Sequence, residues 1–273
     1  DEANKEANLA VEEYATLEFD VRDGVAHVTL NRPEAGNALN LELAEELLNA
    51  VLRCDEDPKV RAVVIFGAGP TFCVGGDLRS FTEQGDELPH HLKELTTYLH
   101  AAVSRMARMD SPVVAAVHGA AAGAGMSLTC ACDLVVAAEA ARFTMAYSNA
   151  GLTPDGSSTY FLPRLVGFKR AMELTLTNRQ LSAQEAMEWG IVTRVVPNEG
   201  LMEEATGLAA QLAAGATKAL GASKRLLHTG WTETLETQME HETQTIAEMA
   251  RTTDGREGIA AFLEKRSAKF TGQ

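Results

Sequence analysis

Residues Ser111–Cys132 read SPVVAAVHGAAAGAGMSLTCAC and contain no Asp, Glu, Lys or Arg over 22 positions. That length equals the length of a membrane-spanning helix. However, the start at Pro112 and a composition rich in alanine and glycine instead predict a buried strand over Val113–Val117, a turn over Gly119–Gly125 and a short buried helix. We therefore expect a strand, turn and helix here, and no membrane association.

Upstream of this stretch, strand-like runs alternate with helical spacing of apolar residues. Asp23-Gly24 lies between two such runs and is a strong hairpin signal, and Asn40 is a candidate N-cap. The predicted elements are strands over Thr16–Val21, Val25–Leu30 and Val60–Phe66 and helices over Leu41–Leu52 and His91–Met109. This alternation predicts an α/β core.

Downstream the alternation continues and then becomes helical throughout. The predicted elements are strands over Leu134–Ala137 and Ile191–Val196 and a helix from the Ser182/Glu185 capping box to Gly190. Asp254 and Glu257 form a second capping-box candidate. We expect a flexible tail over residues 1–14, an α/β core over 15–200 and a helical region over 201–273.

Composition and charge limit the possible functions. The chain of 273 residues is 45% apolar and 23% charged, which is typical of globular proteins. Its formal net charge of −14 argues against nucleic acid as a partner, because phosphate binding needs a basic field. A small anionic ligand would have to be held by a local cluster of cations.

Cysteine and histidine usage predicts neither disulfides nor a metal site. Four cysteines are too few for a disulfide framework, and Cys130 and Cys132 lack the spacing of a zinc site. His90 and His91 have no carboxylate or cysteine partner at helical spacing. The N-terminal residues show no apolar signal core. We therefore expect a reducing, cytoplasmic compartment.

Two glycine-bearing turns are candidates for chemistry. They are Phe72–Leu78, with the sequence FCVGGDL, and Gly119–Gly125, with the sequence GAAAGAG. Backbone N–H groups exposed by such turns can converge into an oxyanion hole, and a helix N-terminus adds its dipole at the second turn. The alternative is that the glycines permit tight turns and close packing.

Several phrases resemble the enoyl-CoA hydratase/isomerase (crotonase) family, in the family's order. They are NRPE and NAL within Asn31–Leu39, the turn Phe72–Leu78, the stretch Pro112–Gly125, Leu162–Gly167, and Arg256–Arg266. The resemblance covers about Thr16 to Gln273. It implies a crotonase-type spiral of ββα units with a helical C-terminal trimerisation region, assembled as a homotrimer or a dimer of trimers. It also implies an acyl-CoA thioester as ligand, with coenzyme A as part of the substrate and no prosthetic group.

The same resemblance implies positions for the binding residues. The backbone N–H groups of Gly76 and Ala124 correspond to the oxyanion-hole donors. The contacts to coenzyme A correspond to Arg32, Asp77, Arg79, Phe262 and Lys265. Without the family, Lys265 and its basic neighbours would simply complement the C-terminus of a helix.

The acid/base residues depart from the hydratase pattern. The two hydratase glutamates correspond to Ser127 and Tyr147, neither of which is a carboxylate, so simple hydration of a double bond is not predicted. Asp155 is the remaining candidate. By pattern alone it could be an N-cap for a helix over Ser158–Leu162, but it resembles the single catalytic carboxylate of epoxyacyl-CoA and enoyl-CoA isomerases. Tyr147 either points toward Asp155 or is a packed core tyrosine.

Two rival interpretations remain open. In the 4-chlorobenzoyl-CoA dehalogenase branch, an aspartate at the position of Asp155 is the nucleophile and a histidine at the position of His100 activates water. His100 could equally be an ordinary helix histidine. A chain that lost both glutamates could also bind acyl-CoA without turning it over. We predict an acyl-CoA isomerase with Asp155 as acid/base.

Overall fold

The computed structural model describes residues 14–273, so residues 1–13 of the predicted tail lie outside the described residues. Within that range the chain forms nine strands and eleven α-helices. In chain order the elements are β1 (Leu17–Arg22), β2 (Val25–Leu30), α1 (Leu41–Glu56), β3 (Ala62–Gly67), α2 (Leu78–Thr82), α3 (Leu88–Met106), β4 (Val113–Val117), β5 (Ala120–Ala122), α4 (Ala124–Ala131), β6 (Leu134–Ala138), β7 (Arg142–Thr144), α5 (Ser158–Val166), α6 (Phe168–Thr177), β8 (Leu181–Ser182), α7 (Ala183–Glu188), β9 (Arg194–Val196), α8 (Leu201–Ala213), α9 (Thr217–Thr229), α10 (Leu235–Met249) and α11 (Thr253–Glu264).

Within the described residues the strands form two sheets. The larger has six strands in the order β1-β2-β3-β4-β6-β9, and the smaller has three in the order β5-β7-β8. In the larger sheet β1 and β2 form the predicted antiparallel hairpin, and each later neighbour is parallel. Parallel neighbours require crossover connections, which the helices between the strands provide. The predicted α/β fold is confirmed. From Leu201 onward the described chain contains helices and no strands.

Alternate residues of the central strands face two different cores, because side chains alternate sides along a strand. Val63 and Ile65 of β3 pack into the larger core together with α1 and α3. Ala62 and Val64 pack on the opposite face against α8. With both faces covered, β4 is buried along its whole length, which explains its uninterrupted apolar sequence.

The charge-free stretch contains the predicted strand and buried helix, but the predicted turn over Gly119–Gly125 contains a further short strand, β5. Its residues form β4, then β5, then α4, and all eight residues of α4 are buried. No helix among residues 14–273 has the length and apolar character needed to cross a membrane.

Helix caps were predicted correctly at two positions and wrongly at one. The Asn40 side chain accepts from the amide of Leu43 at the start of α1, and Ser182 forms the predicted capping box with Glu185. Asp254, by contrast, does not cap α11. Thr252 is the N-cap there, and the buried Asp254 carboxylate accepts from the C-terminal amides of residues 271 and 272, each at 2.7 Å. A tertiary contact therefore outcompeted the local pattern.

Some element boundaries also shift. α3 begins at Leu88, because Pro89 is tolerated in the first helical turn, and it ends at Met106 instead of Met109. β9 begins at Arg194, three residues later than predicted, because the amides of Ile191 and Val192 bond to the end of α7.

Candidate active site

The two glycine-bearing turns lie side by side. The Cys73 amide donates to the carbonyl oxygen of Ala120 at 3.1 Å, and the Cys73 carbonyl accepts from the amide of Ala122 at 2.9 Å. Gly75 approaches the second turn so closely that a β-carbon there would lie 3.1 Å from the Ala122 carbonyl oxygen and 3.6 Å from the Ala124 nitrogen. Its φ of +111° also favours glycine, so this residue allows the two turns to meet.

The position of α4 is fixed by another close contact. A β-carbon at Gly125 would lie only 2.2 Å from the carbonyl oxygen of Cys73, so only glycine fits at this point. The Thr129 hydroxyl donates to the Gly125 carbonyl oxygen at 2.8 Å within the buried helix. As a result, the N-terminus of α4 is held directly behind the first turn.

The predicted pair of amides is brought to one cavity. Gly76 and Ala124 both line it, and neither backbone N–H has an acceptor among residues 14–273. Ala124 is the first residue of α4, where amides have no intrahelical partner. Beside Gly76, the bridge to Leu39 uses the amides of Leu39 and Asp77 instead. Two donors are therefore available to a ligand, and the α4 dipole adds positive potential at one of them.

The cavity has a volume of about 300 Å³ and mostly apolar walls. Leu92 and Leu95 of α3 contribute one wall, Phe81 of α2 another, and Leu152 lies in the loop before α5. Asp155 is the one carboxylate among its lining residues in the part of the chain that the structure describes. An apolar chamber with one acid and two free amides can bind an acyl group and place its carbonyl oxygen.

Asp155 is held by a partly buried tyrosine. The Tyr147 hydroxyl donates to Oδ1 of Asp155 at 2.6 Å, and Ser127 Oγ lies 2.8 Å from the same hydroxyl. Tyr147 follows Ala146, which has a φ of +54° that non-glycine residues rarely adopt. Tyr147 therefore both packs against the core and points toward Asp155, which combines the two alternatives of the sequence analysis.

Burial dominates the electrostatics of this pair. Burial raises the pKa of Asp155, and the hydrogen bond from Tyr147 and the charge of His100 offset only part of that rise. Burial, followed by the negative charge of Asp155, raises the pKa of Tyr147 as well. Tyr147 therefore stays protonated at neutral pH and remains a hydrogen-bond donor to Asp155.

The turn around Asp155 is unusual in its backbone. Gly156 has a φ of +56° and Ser157 a φ of +69°. A β-carbon at Gly156 would lie 2.9 Å from the β-carbon of Ser127, so the turn sits directly against α4. Ser157, not Asp155, occupies the N-cap position of α5, and its side chain makes no cap bond. The interpretation of Asp155 as an N-cap is therefore wrong.

His100 lies behind this turn and does not line the cavity. Its Nε2 accepts a hydrogen bond from the amide of Gly156 at 3.1 Å, and the side chain is exposed on α3. The histidine thus supports the backbone of the Asp155 turn from outside the cavity lining.

Residues 20–273 match the family model described as enoyl-CoA hydratase/isomerase. The chain belongs to this family. It is 41% identical over 255 residues to 1,2-epoxyphenylacetyl-CoA isomerase from Escherichia coli (strain K12), covering 93% of this chain and 97% of that protein. It is 38% identical to 4-chlorobenzoyl coenzyme A dehalogenase-2 from Arthrobacter sp, covering 89% and 88%. A solved enoyl-CoA hydratase from Polaromonas sp. JS666 is 36% identical with a TM-score of 0.89, covering 93% and 99%.

In this family member, Arg32 and Asp77 form an ion pair beside the first turn. Arg32 Nη2 lies 2.8 Å from Oδ2 of Asp77, and Arg32 also donates to the carbonyl oxygen of Ala38. Burial would raise the pKa of Asp77, but the hydrogen bonds from Arg32 and from the amides of Ser80 and Arg79 outweigh it and lower the pKa. Asp77 thereby caps α2, and the Arg79 side chain is exposed nearby.

The remaining predicted coenzyme A contacts lie on the C-terminal helix. Phe262 is 83% exposed, and Lys265 is an exposed residue with left-handed backbone at the end of α11. Neither lines the cavity that contains Asp155. Within one chain the structure therefore does not bring these two residues to the predicted acid/base.

Sequence reasoning missed two polar residues of the cavity. Lys93 and Thr96 of α3 both line it. Their positions next to Leu92 and Leu95, on the apolar stripe of the helix, could have indicated a place in the cavity. However, a lysine beside such a stripe usually belongs to a solvated face. No group of three His, Cys, Asp or Glu side chains within residues 14–273 is arranged to hold a metal ion.

Proposed function

We propose that this member of the enoyl-CoA hydratase/isomerase family isomerises an enoyl- or epoxyacyl-CoA thioester, with Asp155 as the single acid/base. The observation that carries the proposal is the cavity itself, which combines one carboxylate with two backbone N–H groups that have no acceptor among residues 14–273. The relative named 1,2-epoxyphenylacetyl-CoA isomerase supports the same reaction class.

The amides of Gly76 and Ala124 supply electrostatic stabilisation. Removing a proton next to a thioester carbonyl turns it into an enolate, whose negative oxygen would lie between the two N–H groups. Preorganised donors of this kind contribute about 3 kcal/mol each to lowering the barrier. In an apolar cavity the effect is stronger than in water, because solvent does not screen it.

Asp155 would move the proton. As the carboxylate it removes a proton from one carbon, and as the acid it returns that proton to another, so no net proton is exchanged. The raised pKa of Asp155 suits both halves, because a base near working pH both accepts and releases protons readily. Hydration by the two-carboxylate route lacks support, since Ser127 and Tyr147 occupy the glutamate positions.

Dehalogenation of a 4-halobenzoyl-CoA is the second candidate, favoured by the 38% identity to an Arthrobacter dehalogenase. Asp155 would then attack the aryl carbon. The proposed water-activating residue, His100, lies outside the cavity lining and its Nε2 already accepts from the amide of Gly156. This arrangement supports isomerisation over dehalogenation.

Assembly as a homotrimer or a dimer of trimers is also proposed, with the division into a core over 15–200 and a helical region over 201–273. Support comes from α10, which has no buried residue, and from the exposed apolar residues Leu235, Ile246 and Leu263. Contacts from a neighbouring subunit would bring Phe262 and Lys265 to coenzyme A. Light scattering coupled to chromatography measures the oligomer directly.

The decisive experiment incubates the protein with enoyl-, epoxyacyl- and 4-halobenzoyl-CoA, separates the products by liquid chromatography and identifies them by mass spectrometry. We expect an isomer of unchanged mass that disappears in Asp155→Asn. Asp86→Asn, an exposed aspartate outside the cavity, is the matched control and keeps full activity. Halide release with a covalent aspartyl intermediate would establish the dehalogenase instead. Binding without turnover of any thioester would leave a non-catalytic acyl-CoA binder.

A further inference from the structure

Three side-chain oxygens from three segments form a chain that ends on the predicted acid/base. Ser127 Oγ on α4 lies 2.8 Å from the hydroxyl of Tyr147, which lies 2.6 Å from Oδ1 of Asp155. Ser127 is fully buried at 0% exposure. At its other side, Ser127 Oγ lies 3.2 Å from the carbonyl oxygen of Gly123, the residue that precedes the amide of Ala124.

The direction of the hydrogen bonds follows from counting protons. Tyr147 has one hydroxyl proton, and the carboxylate of Asp155 can only accept, so Tyr147 donates to Asp155. The contact with Ser127 is then a hydrogen bond only if Ser127 donates to Tyr147. Hydrogen bonds that end on a charged group are the stronger ones, so the chain is polarised toward Asp155.

We propose that Tyr147 and Ser127 are positioning residues that hold Oδ1 of Asp155 and leave Oδ2 as the oxygen that exchanges the substrate's proton. This inference rests on the proposed role of Asp155. Apart from Asp155 itself, Tyr147 is the one residue within 14–273 that donates to this carboxylate. The substrate proton goes to Oδ2 and its electron pair to the thioester oxygen, and the same proton later returns to carbon. Tyr147 and Ser127 keep their own protons.

The Ser127 hydroxyl has an acceptor in both protonation states of Asp155. When Asp155 is a carboxylate, Ser127 donates to Tyr147 at 2.8 Å. When Asp155 holds a proton, the pull on Tyr147 weakens and the Ser127 hydroxyl can turn to the Gly123 carbonyl at 3.2 Å. Neither state leaves a buried hydroxyl without a partner, which would otherwise cost about 1–3 kcal/mol. Valine or alanine at position 127 would have no hydroxyl to donate to either Tyr147 or the Gly123 carbonyl oxygen.

Charged groups on the other packed elements must be held constant in any test. From α3, His100 bonds to the turn that carries Asp155, and Lys93 lines the same cavity as Asp155. α4 contributes the neutral Ser127, and the segment before Asp155 contributes the neutral Tyr147. Changing the two hydroxyls leaves His100 and Lys93 in place, so shifts in titration report the hydroxyl chain.

The test follows Asp155 directly by carboxyl-carbon NMR of protein labelled with ¹³C-aspartate. The Asp155 signal is the one that Asp155→Asn removes. We expect its titration midpoint to move to higher pH in Tyr147→Phe and, by less, in Ser127→Ala. In the double variant, Ser127→Ala should add nothing to Tyr147→Phe, because Ser127 acts through Tyr147. Tyr98→Phe, whose hydroxyl makes no hydrogen bond among the described residues, is the control with an unchanged midpoint.

Activity gives the second measurement. In Tyr147→Phe we expect kcat to fall about tenfold with KM within about twofold, and the acidic limb of kcat/KM to move to higher pH. An unchanged midpoint in Tyr147→Phe, or an equal effect of Ser127→Ala with and without Tyr147, would overturn the proposal. If Tyr147→Phe does not fold, the Ser127→Ala midpoint decides. If the wild type turns over no thioester but the midpoints move as expected, the proposed function fails while the positioning holds.

Discussion

Replacing Ala124 by proline would delete one N–H donor of the predicted oxyanion hole without deleting a folding hydrogen bond. Ala124 is the first residue of α4, and its amide has no acceptor among residues 14–273. Proline is favoured at this first helical position, since its fixed φ suits the helix and its missing N–H would be unpaired anyway.

The magnitude follows from the number of donors. One of two N–H groups is lost, and removal of one such donor costs about 3 to 4 kcal/mol of transition-state stabilisation. At about 1.4 kcal/mol per factor of ten, kcat should fall by roughly 10² to 10³. The free energy of unfolding should change by less than about 1 kcal/mol, because no intramolecular hydrogen bond is broken.

The assay measures kcat on the thioester identified by the substrate panel, with thermal unfolding in parallel. Ala124→Gly is the matched control, because it keeps the N–H and should retain activity within a fewfold of wild type. If Ala124→Pro folds with unchanged stability and turns over within about tenfold of Ala124→Gly, this amide does not stabilise the transition state. The assignment of the second turn as an oxyanion site would then be wrong.

Three further predictions concern the turn, the titration and the buried ion pair. Gly156→Ala should lower kcat by at least tenfold and destabilise the fold by about 1 kcal/mol or more, measured by steady-state kinetics and thermal unfolding, because the new β-carbon would lie 2.9 Å from Ser127 at a positive φ. Because Asp155 has a raised pKa, the native state binds more protons than the unfolded chain, and the burial of Asp155 therefore lowers the free energy of unfolding as pH rises through that pKa. The melting temperature of Asp155→Asn should be higher than that of wild type at pH 7, and the difference should vanish in acid. Lys224→Met should lower the free energy of unfolding, measured in denaturant, by about 3 kcal/mol or more, because the Lys224 ammonium lies 2.9 Å from Asp133 and 2.7 Å from a backbone carbonyl oxygen. The double change with Asp133→Asn should recover part of the loss.

Much of the fold could be predicted from the chain alone because its signals are local. The Asp23-Gly24 hairpin and the Asn40 cap each involve residues a few positions apart, and both were predicted correctly. Asp254 shows the limit of such reasoning. It has the sequence context of a helix cap, yet its carboxylate binds amides near the C-terminus that are seventeen and more residues away.

For the site, the sequence by itself determined the family and the candidate residues, which are two glycine-bearing turns, Asp155, and Ser127 and Tyr147 where the resemblance implies the hydratase glutamates. Only the tertiary structure decided which of these residues meet. It placed the amides of Gly76 and Ala124 on one cavity with Asp155, put His100 behind the turn, and connected Ser127 to Asp155 through Tyr147. The physical reason is range: caps, turns and periodicity act within a few residues, whereas burial, which raises the pKa of Asp155, depends on the whole packed core.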